Sequence, residues 1–164
     1  MKGLSSLAAL LFVWLPPAFA QHDADVRLMR EMARADLAEV EVGKLAAQKA
    51  ASAEVKKFAQ QMIEEHSKHL DELRGLAQSQ GEQLPPKPGR KHEEALKKLH
   101  AVSGAQFDRA YMAKMVRDHR ETLKKVHDAA RKAKDRSIRA SAKNAAAVMQ
   151  KHLETAKSIL DSLE

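Results

Sequence analysis

The sequence predicts an all-α fold, an antiparallel four-helix bundle with a short extra helix between the second and third long helices. Three observations carry that expectation. Apolar residues recur at three- and four-residue spacing through four long segments. The breaks between these segments are short, apart from one proline-rich stretch. Beyond Ala20 the aromatics reduce to Phe58, Phe107 and Tyr111. The remaining core residues are Ala, Leu, Val, Ile and Met, a set that suits close helix packing better than a sandwich or barrel.

Residues 1–20 read as a cleaved secretory leader. Lys2 is followed by the apolar run Leu4 to Leu15, Pro16 and Pro17 interrupt it, and Ala18-Phe19-Ala20 supplies the small-x-small cleavage pattern. The run is shorter than the roughly 20 residues needed to span a bilayer, and no later segment approaches that length. Residues 21–164 are therefore expected to form a single helical-bundle domain in the periplasm or outside the cell. With no cysteine in the chain, a lipid anchor, a disulfide framework and thiolate metal sites are all excluded.

The first helix is expected from about Asp25 to Ala51, with Met29, Met32, Ala33, Leu37, Val40, Ala47 and Ala50 on its apolar stripe. Ser52 is the expected N-cap of the second helix. That helix carries Val55, Phe58, Ala59, Met62, Leu70, Leu73 and Ala77 and stops at Gly81. Gly81 to Arg90 contains Pro85, Pro86 and Pro88 and reads as a linker. A short helix from about His92 to Val102 follows. Ser103 with Gln106 has the form of a capping box opening the third long helix, whose stripe is Phe107, Tyr111, Met115, Leu123, Val126 and Ala130. Asp135 or Ser137 caps the last helix, which carries Ile138, Ala142, Ala145, Met149, Leu153, Ala156, Leu160 and Leu163. No stripe is buried by one helix alone, so four antiparallel neighbours are the economical solution. The linker permits either a direct or a crossing connection between the two hairpins.

The chain carries a formal net charge of +7, and its cations are densest between Arg117 and Lys151. A basic face can attract anionic envelope components, or it can simply be a solvated helix surface. Nucleic acid is not expected as a partner, since export removes it and few aromatics remain for stacking.

Three of the eight histidines fall on apolar stripes: His66 four residues after Met62, His119 four after Met115, and His152 three after Met149. His69, one turn beyond His66, can point inward or along a seam, while His22, His92, His100 and His127 are expected to be solvated. Folding the first hairpin about Ser52 brings Glu39 level with His66, and folding the second about Asp135 brings His119 level with His152. At 1.5 Å per residue these pairs lie about 20 and 25 Å from their turns, near mid-bundle in both cases. Glu39, His66, His119 and His152 thus form a candidate four-ligand metal site for one divalent or copper ion, with Asp36 able to replace Glu39. The same residues can also form a purely structural polar layer that fixes helix register. The stretch from Phe58 to His66 also parallels that from Tyr111 to His119. A di-iron carboxylate centre is disfavoured, because Ile63, Val116 and Met149 stand three residues before the key histidines where a glutamate would be needed.

Glu39 to Ala50 (EVEVGKLAAQKA), Val55 to His66, Phe107 to His119, and His152 to Ala156 together resemble an exported bacterial family, the domain of unknown function 4142. The resemblance spans nearly all of the chain after the leader. It implies a ferritin-like four-helix bundle in the cell envelope and brings no assigned activity with it. The family-like positions Glu39, His66, His119 and His152 are kept, and the acid before the first of these histidines is Glu65, expected to face away from the core. No phosphate loop, nucleophile elbow or zinc-protease motif is present. A binding protein is expected before an enzyme. The alternative is a non-catalytic envelope interaction protein with a basic surface.

Overall fold

The computed structural model describes residues 17–163, with side chains from His22 onward. The described residues form five α-helices and no strand: α1 (Pro17–Lys49), α2 (Ala53–Ser79), α3 (Arg90–His100), α4 (Gly104–Lys132) and α5 (Arg136–Ser162). Most of the expected leader, residues 1–16, lies outside the described residues. α1 starts at Pro17, ahead of the expected Asp25, at a position where proline's missing N–H has no helical partner to lose. None of the described helices is long and apolar enough to cross a membrane.

Local chemistry sets most helix ends. The Ser52 hydroxyl accepts from the amides of Glu54 (3.2 Å) and Val55 (3.4 Å), and the Asp135 carboxylate accepts from Ser137 (2.8 Å) and Ile138 (2.9 Å). At the end of α2, Gly81 takes a φ of 71°. There the Glu82 amide reaches Ala77 O at 2.8 Å and the Gly81 amide reaches Gln78 O at 3.2 Å, the paired bonds of a Schellman ending. Ser103 does not form the expected capping box. It stands at the N-cap of α4, but its side chain makes no capping bond, and Gly104 follows with a φ of 57°. That left-handed residue turns the chain into the helix and leaves the hydroxyl out of reach of the first amides.

α1 packs along α2 and α4 along α5, with α2 against α5, α1 against α4, and α3 against α4. α1 and α2 approach closely at Gly43, where a Cβ would meet Ile63 Cγ1 at 3.0 Å and Ala59 O at 3.2 Å. Two apolar clusters divide the interior. One gathers Val42, Phe58, Met62, Phe107, Met112 and Ile159. The other gathers Met29, Leu73, Val126, Ile138, Ala142 and Met149. On every long helix the residues between the clusters are polar and buried: Asp36 and Glu39, His66, His119, and His152. On α1 this layer displaces the expected stripe, so Leu37, Val40 and Ala47 are half-buried while Asp36 and Glu39 take core positions.

Two aspartates tie the hairpins together. Asp108, on α4, accepts from the amides of Ala51 (3.0 Å) and Ser52 (2.7 Å) in the α1–α2 turn. Asp25, on α1, accepts from the amides of Lys134 (3.1 Å) and Asp135 (2.7 Å) in the α4–α5 turn. The separation from Asp25 to Asp108 also relates the caps Ser52 and Asp135, the buried methionines Met29 and Met112, and Met32 and Met115. It further relates Val55 to Ile138, Ala59 to Ala142, His69 to His152, and Leu70 to Leu153. One constant register thus maps α1 onto α4 and α2 onto α5. The shorter parallel between Phe58–His66 and Tyr111–His119 follows a different register, which the turns do not share.

Candidate metal centre

His66 on α2, His119 on α4 and His152 on α5 are 4%, 2% and 1% exposed. One nitrogen from each ring lies within 4.8 Å of the others, and the ring centroids are 5.3 to 5.7 Å apart. Their helices deliver them because each histidine lies one helical turn from a buried methionine, Met62, Met115 or Met149.

The outward nitrogen of each ring is already engaged. His66 Nδ1 donates to Asp36 Oδ1 at 2.8 Å, His119 Nδ1 to the Met115 carbonyl at 3.0 Å, and His152 Nε2 to Glu65 Oε2 at 2.9 Å. A carbonyl or a carboxylate can only accept, so these bonds fix the tautomer of each neutral ring. The lone pairs therefore sit on His66 Nε2, His119 Nε2 and His152 Nδ1, the three buried ring nitrogens without a partner. Unsatisfied buried polar atoms are uncommon in proteins; here three of them belong to one cluster. A carboxylate or carbonyl behind the free nitrogen is also how metal-binding imidazoles are oriented.

The carboxylates around the rings make the pocket anionic. Asp36 is fully buried and bridges two histidines, Oδ1 to His66 and Oδ2 to His69 Nδ1 at 2.8 Å. His69 Nε2 in turn accepts from the Ser141 hydroxyl at 3.0 Å. Burial alone would raise the Asp36 carboxyl, but the hydrogen bonds and charges of His66 and His69 outweigh it and hold it below its usual value. Burial also opposes protonation of His66. The Asp36 bond, with the charges of Asp36, Glu39 and Glu65, overcomes it and raises His66. For His119 burial prevails and lowers the ring. His152 is pushed down to about 4 by burial and by the neighbouring His66 and His119.

Of the four expected ligands, the structure brings the three histidines into one tight group. Glu39 stands beside them: it is 8% exposed, its charge acts on His66, His119 and Tyr111, and its Oε2 is buried without a partner. Asp36, the alternative to Glu39, lies behind His66 as that ring's acceptor. Two expectations are corrected outright. Glu65 does not face away, because its long side chain crosses the α2–α5 seam to His152. His92 is not solvated; its side chain is 7% exposed and bonds Glu41 at 2.9 Å, which docks α3 onto α1. His22, His100 and His127 are exposed as expected. Sequence reasoning missed Ser141 altogether and left His69 undecided. For His69 the available signal was the constant register, which makes it the equivalent of His152.

The sequence matches the family described as "Domain of unknown function (DUF4142)" over residues 16–159. No curated protein matches the chain. Among solved structures, the fold is similar to a DUF305 protein from Streptomyces coelicolor, described as a candidate secreted protein. The two share 14% identity at a TM-score of 0.75, over 85% of this chain and 93% of that one. A DUF305 fragment from Deinococcus radiodurans gives 11% identity and a TM-score of 0.76, over 84% and 95%. CopM in the Cu(II)-bound form gives 16% identity and a TM-score of 0.74, over 85% and 97%. At these identities the likeness is one of fold.

Proposed function

The chain belongs to the DUF4142 family, and for it we propose the binding of one transition-metal ion, divalent or copper, by His66, His119, His152 and Glu39. One observation carries this reading: the three fixed histidine tautomers leave all their lone pairs unpartnered in a single buried group. A triangle of nitrogens no more than 4.8 Å on a side has its centre within about 2.8 Å of each. Metal–imidazole bonds are about 2.0–2.1 Å, so each ring needs to move inward by less than about 1 Å. Imidazole donors suit zinc, copper, iron and nickel. Glu39 supplies the fourth donor, supported by its orphaned Oε2 and its charge on two of the rings. With Asp36 and Glu65 behind the rings, a dipositive ion finds three carboxylates to balance it. The fold shared with Cu(II)-bound CopM is consistent with metal handling on this scaffold.

The same reading takes residues 1–20 as a cleaved leader and residues 21–164 as one antiparallel four-helix bundle acting outside the cytoplasm. The leader-like pattern and the similarity to a candidate secreted protein support it. The test is elemental analysis and metal titration of protein purified without chelator or affinity tag. Near-stoichiometric metal that is lost in His119→Ala, with helix content retained, is the expected result. A metal-free protein that also fails to take up zinc, copper, iron or nickel sinks the proposal.

A further inference from the structure

Resting on the metal reading, we infer that the cleft between α1 and α4 is the route by which the ion reaches the histidines. Glu39 receives the ion there, and the Lys114–Asp118 ion pair gates the passage.

A surface cleft of about 700 Å³ lies between these two helices, with Glu39 and Met149 among its lining residues. The constant register makes the cleft a feature of both hairpins. Arg34 and Arg117, Ala38 and Glu121, and Glu39 and Thr122 are equivalent pairs, and all six line it. Glu39 connects the cleft to the centre. Part of the residue lines the cleft, while its Oε2 is buried, unpartnered and electrostatically linked to His66 and His119.

The opposite face offers a poorer way in. There Glu65, with its side chain 37% exposed, binds His152, but at Nε2, the nitrogen turned away from the cluster. An ion arriving at Glu65 still has the imidazole between itself and the other two histidines. The Phe58 ring also stands against that imidazole, with centroids 6.4 Å apart and planes at 80°.

Lys114 makes the cleft selective in time. Its side chain is only 8% exposed, yet it lines the cleft, and its ammonium is held by Asp118, the residue next to His119. Asp118 also accepts from Arg117 Nε at 3.0 Å. A cation lodged in the passage repels an incoming cation, and Asp118 is the group that draws it aside. Gly89, His92 and Ala95 complete the outer wall, with α3 held there by the His92–Glu41 bond.

The experiment follows the loading rate of Co(II) or Cu(II) into the full purified chain by stopped-flow absorbance, and release to excess chelator. Ala38→Trp narrows the cleft without replacing a proposed ligand, and Ala35→Phe on the same wall guards against a misfolded variant. Both are expected to slow loading and release together by tenfold or more at unchanged stoichiometry and affinity. Lys114→Met is expected to speed loading severalfold at low ionic strength, with the gain shrinking as salt is added. Unaltered rates in both wall variants, or a larger slowing in Glu65→Gln than in either, would overturn the route. A wild-type chain that takes up neither ion at equilibrium, nor zinc, iron or nickel, overturns the metal reading itself, and that failure appears in stoichiometry, not in rate.

Discussion

Asp36→Asn tests whether the group behind a proposed ligand, His66, sets the properties of the site. Asp36 is fully buried and accepts from His66 Nδ1 and His69 Nδ1, both at 2.8 Å. Asparagine keeps the shape but turns one acceptor into a donor. The arrangement that loses least directs its oxygen at His66 and its NH₂ at His69, whose ring then donates from Nε2 to Ser141. The free lone pair on His66 survives, but the carboxylate charge behind it is gone. Loss of such outer partners costs about 10- to 100-fold in metal affinity, or roughly 1.4–2.7 kcal/mol. The effect should depend on pH. The raised His66 keeps its proton to higher pH than a free imidazole, so an ion bound at Nε2 would meet this competition as the pH falls through that raised value. His119 and His152 are lowered and compete only at more acidic pH. Without Asp36, His66 loses its main support for the proton, and the competition moves to lower pH. Competitive titration against a chelator from pH 8 to pH 5.5 should show the largest loss of affinity in Asp36→Asn at pH 8 and a shrinking loss toward pH 5.5. A pH-independent loss, or none, would refute the assignment of Asp36 as the acceptor that tunes His66.

Other consequences are as direct. Metal at about 100 times its Kd should stabilise the protein by about 2.7 kcal/mol, read as a rise in Tm that His119→Ala lacks. Without metal, stability should be greatest near pH 6.5. Below 6.5 the unfolded chain takes up protons that His152 and His119 refuse, costing at most about 3 kcal/mol for His152 by pH 4; above 6.5 the stability contributed by protonated His66 is lost. Urea unfolding across that range that shows a steady rise to pH 8 would contradict the assignment. Asp108→Ala strands the amides of Ala51 and Ser52 and should cost about 2–4 kcal/mol, with Asp108→Asn costing less. Tyr111→Phe removes a buried hydroxyl with no partner and should stabilise the metal-free protein by about 1 kcal/mol without altering metal stoichiometry.

The parts of this fold legible in the sequence were those governed by local chemistry. Ser52 opens α2 and Gly81 closes it through bonds that span only a few residues, so residue type and position sufficed; between Asp135 and Ser137 as the cap of α5 they did not decide. The depth of the histidine layer was legible because helical rise is constant and both turns are short. Identity within the layer was harder. Asp36 and Glu39 share one face of α1 a turn apart, and counting from a turn does not resolve that distance. Glu65 was misjudged because angle on its own helix was considered without the reach of its side chain to the next one. His92 was misjudged because the docking of a short helix after a proline-rich segment is decided by a tertiary partner, Glu41, that no local pattern reveals. Ser103 fits a capping pattern, yet the positive φ at Gly104 sends the chain elsewhere.

The exchange of aspartates between the two helix pairs has a consequence for how the proposed ion would be let go. Each turn is completed by the leading helix of the other half, as in a pair of interlocked clasps. The ring nitrogens are divided the same way, His66 from one half and His119 and His152 from the other. Parting the halves to free the ion would unfasten both clasps at once and bare four backbone amides, those of Ala51, Ser52, Lys134 and Asp135. Release by that path is therefore nearly the same event as unfolding, and hydrogen exchange at those four amides would keep time with it. A protein that surrenders its ion quickly while these amides stay protected must be using a passage through the intact fold.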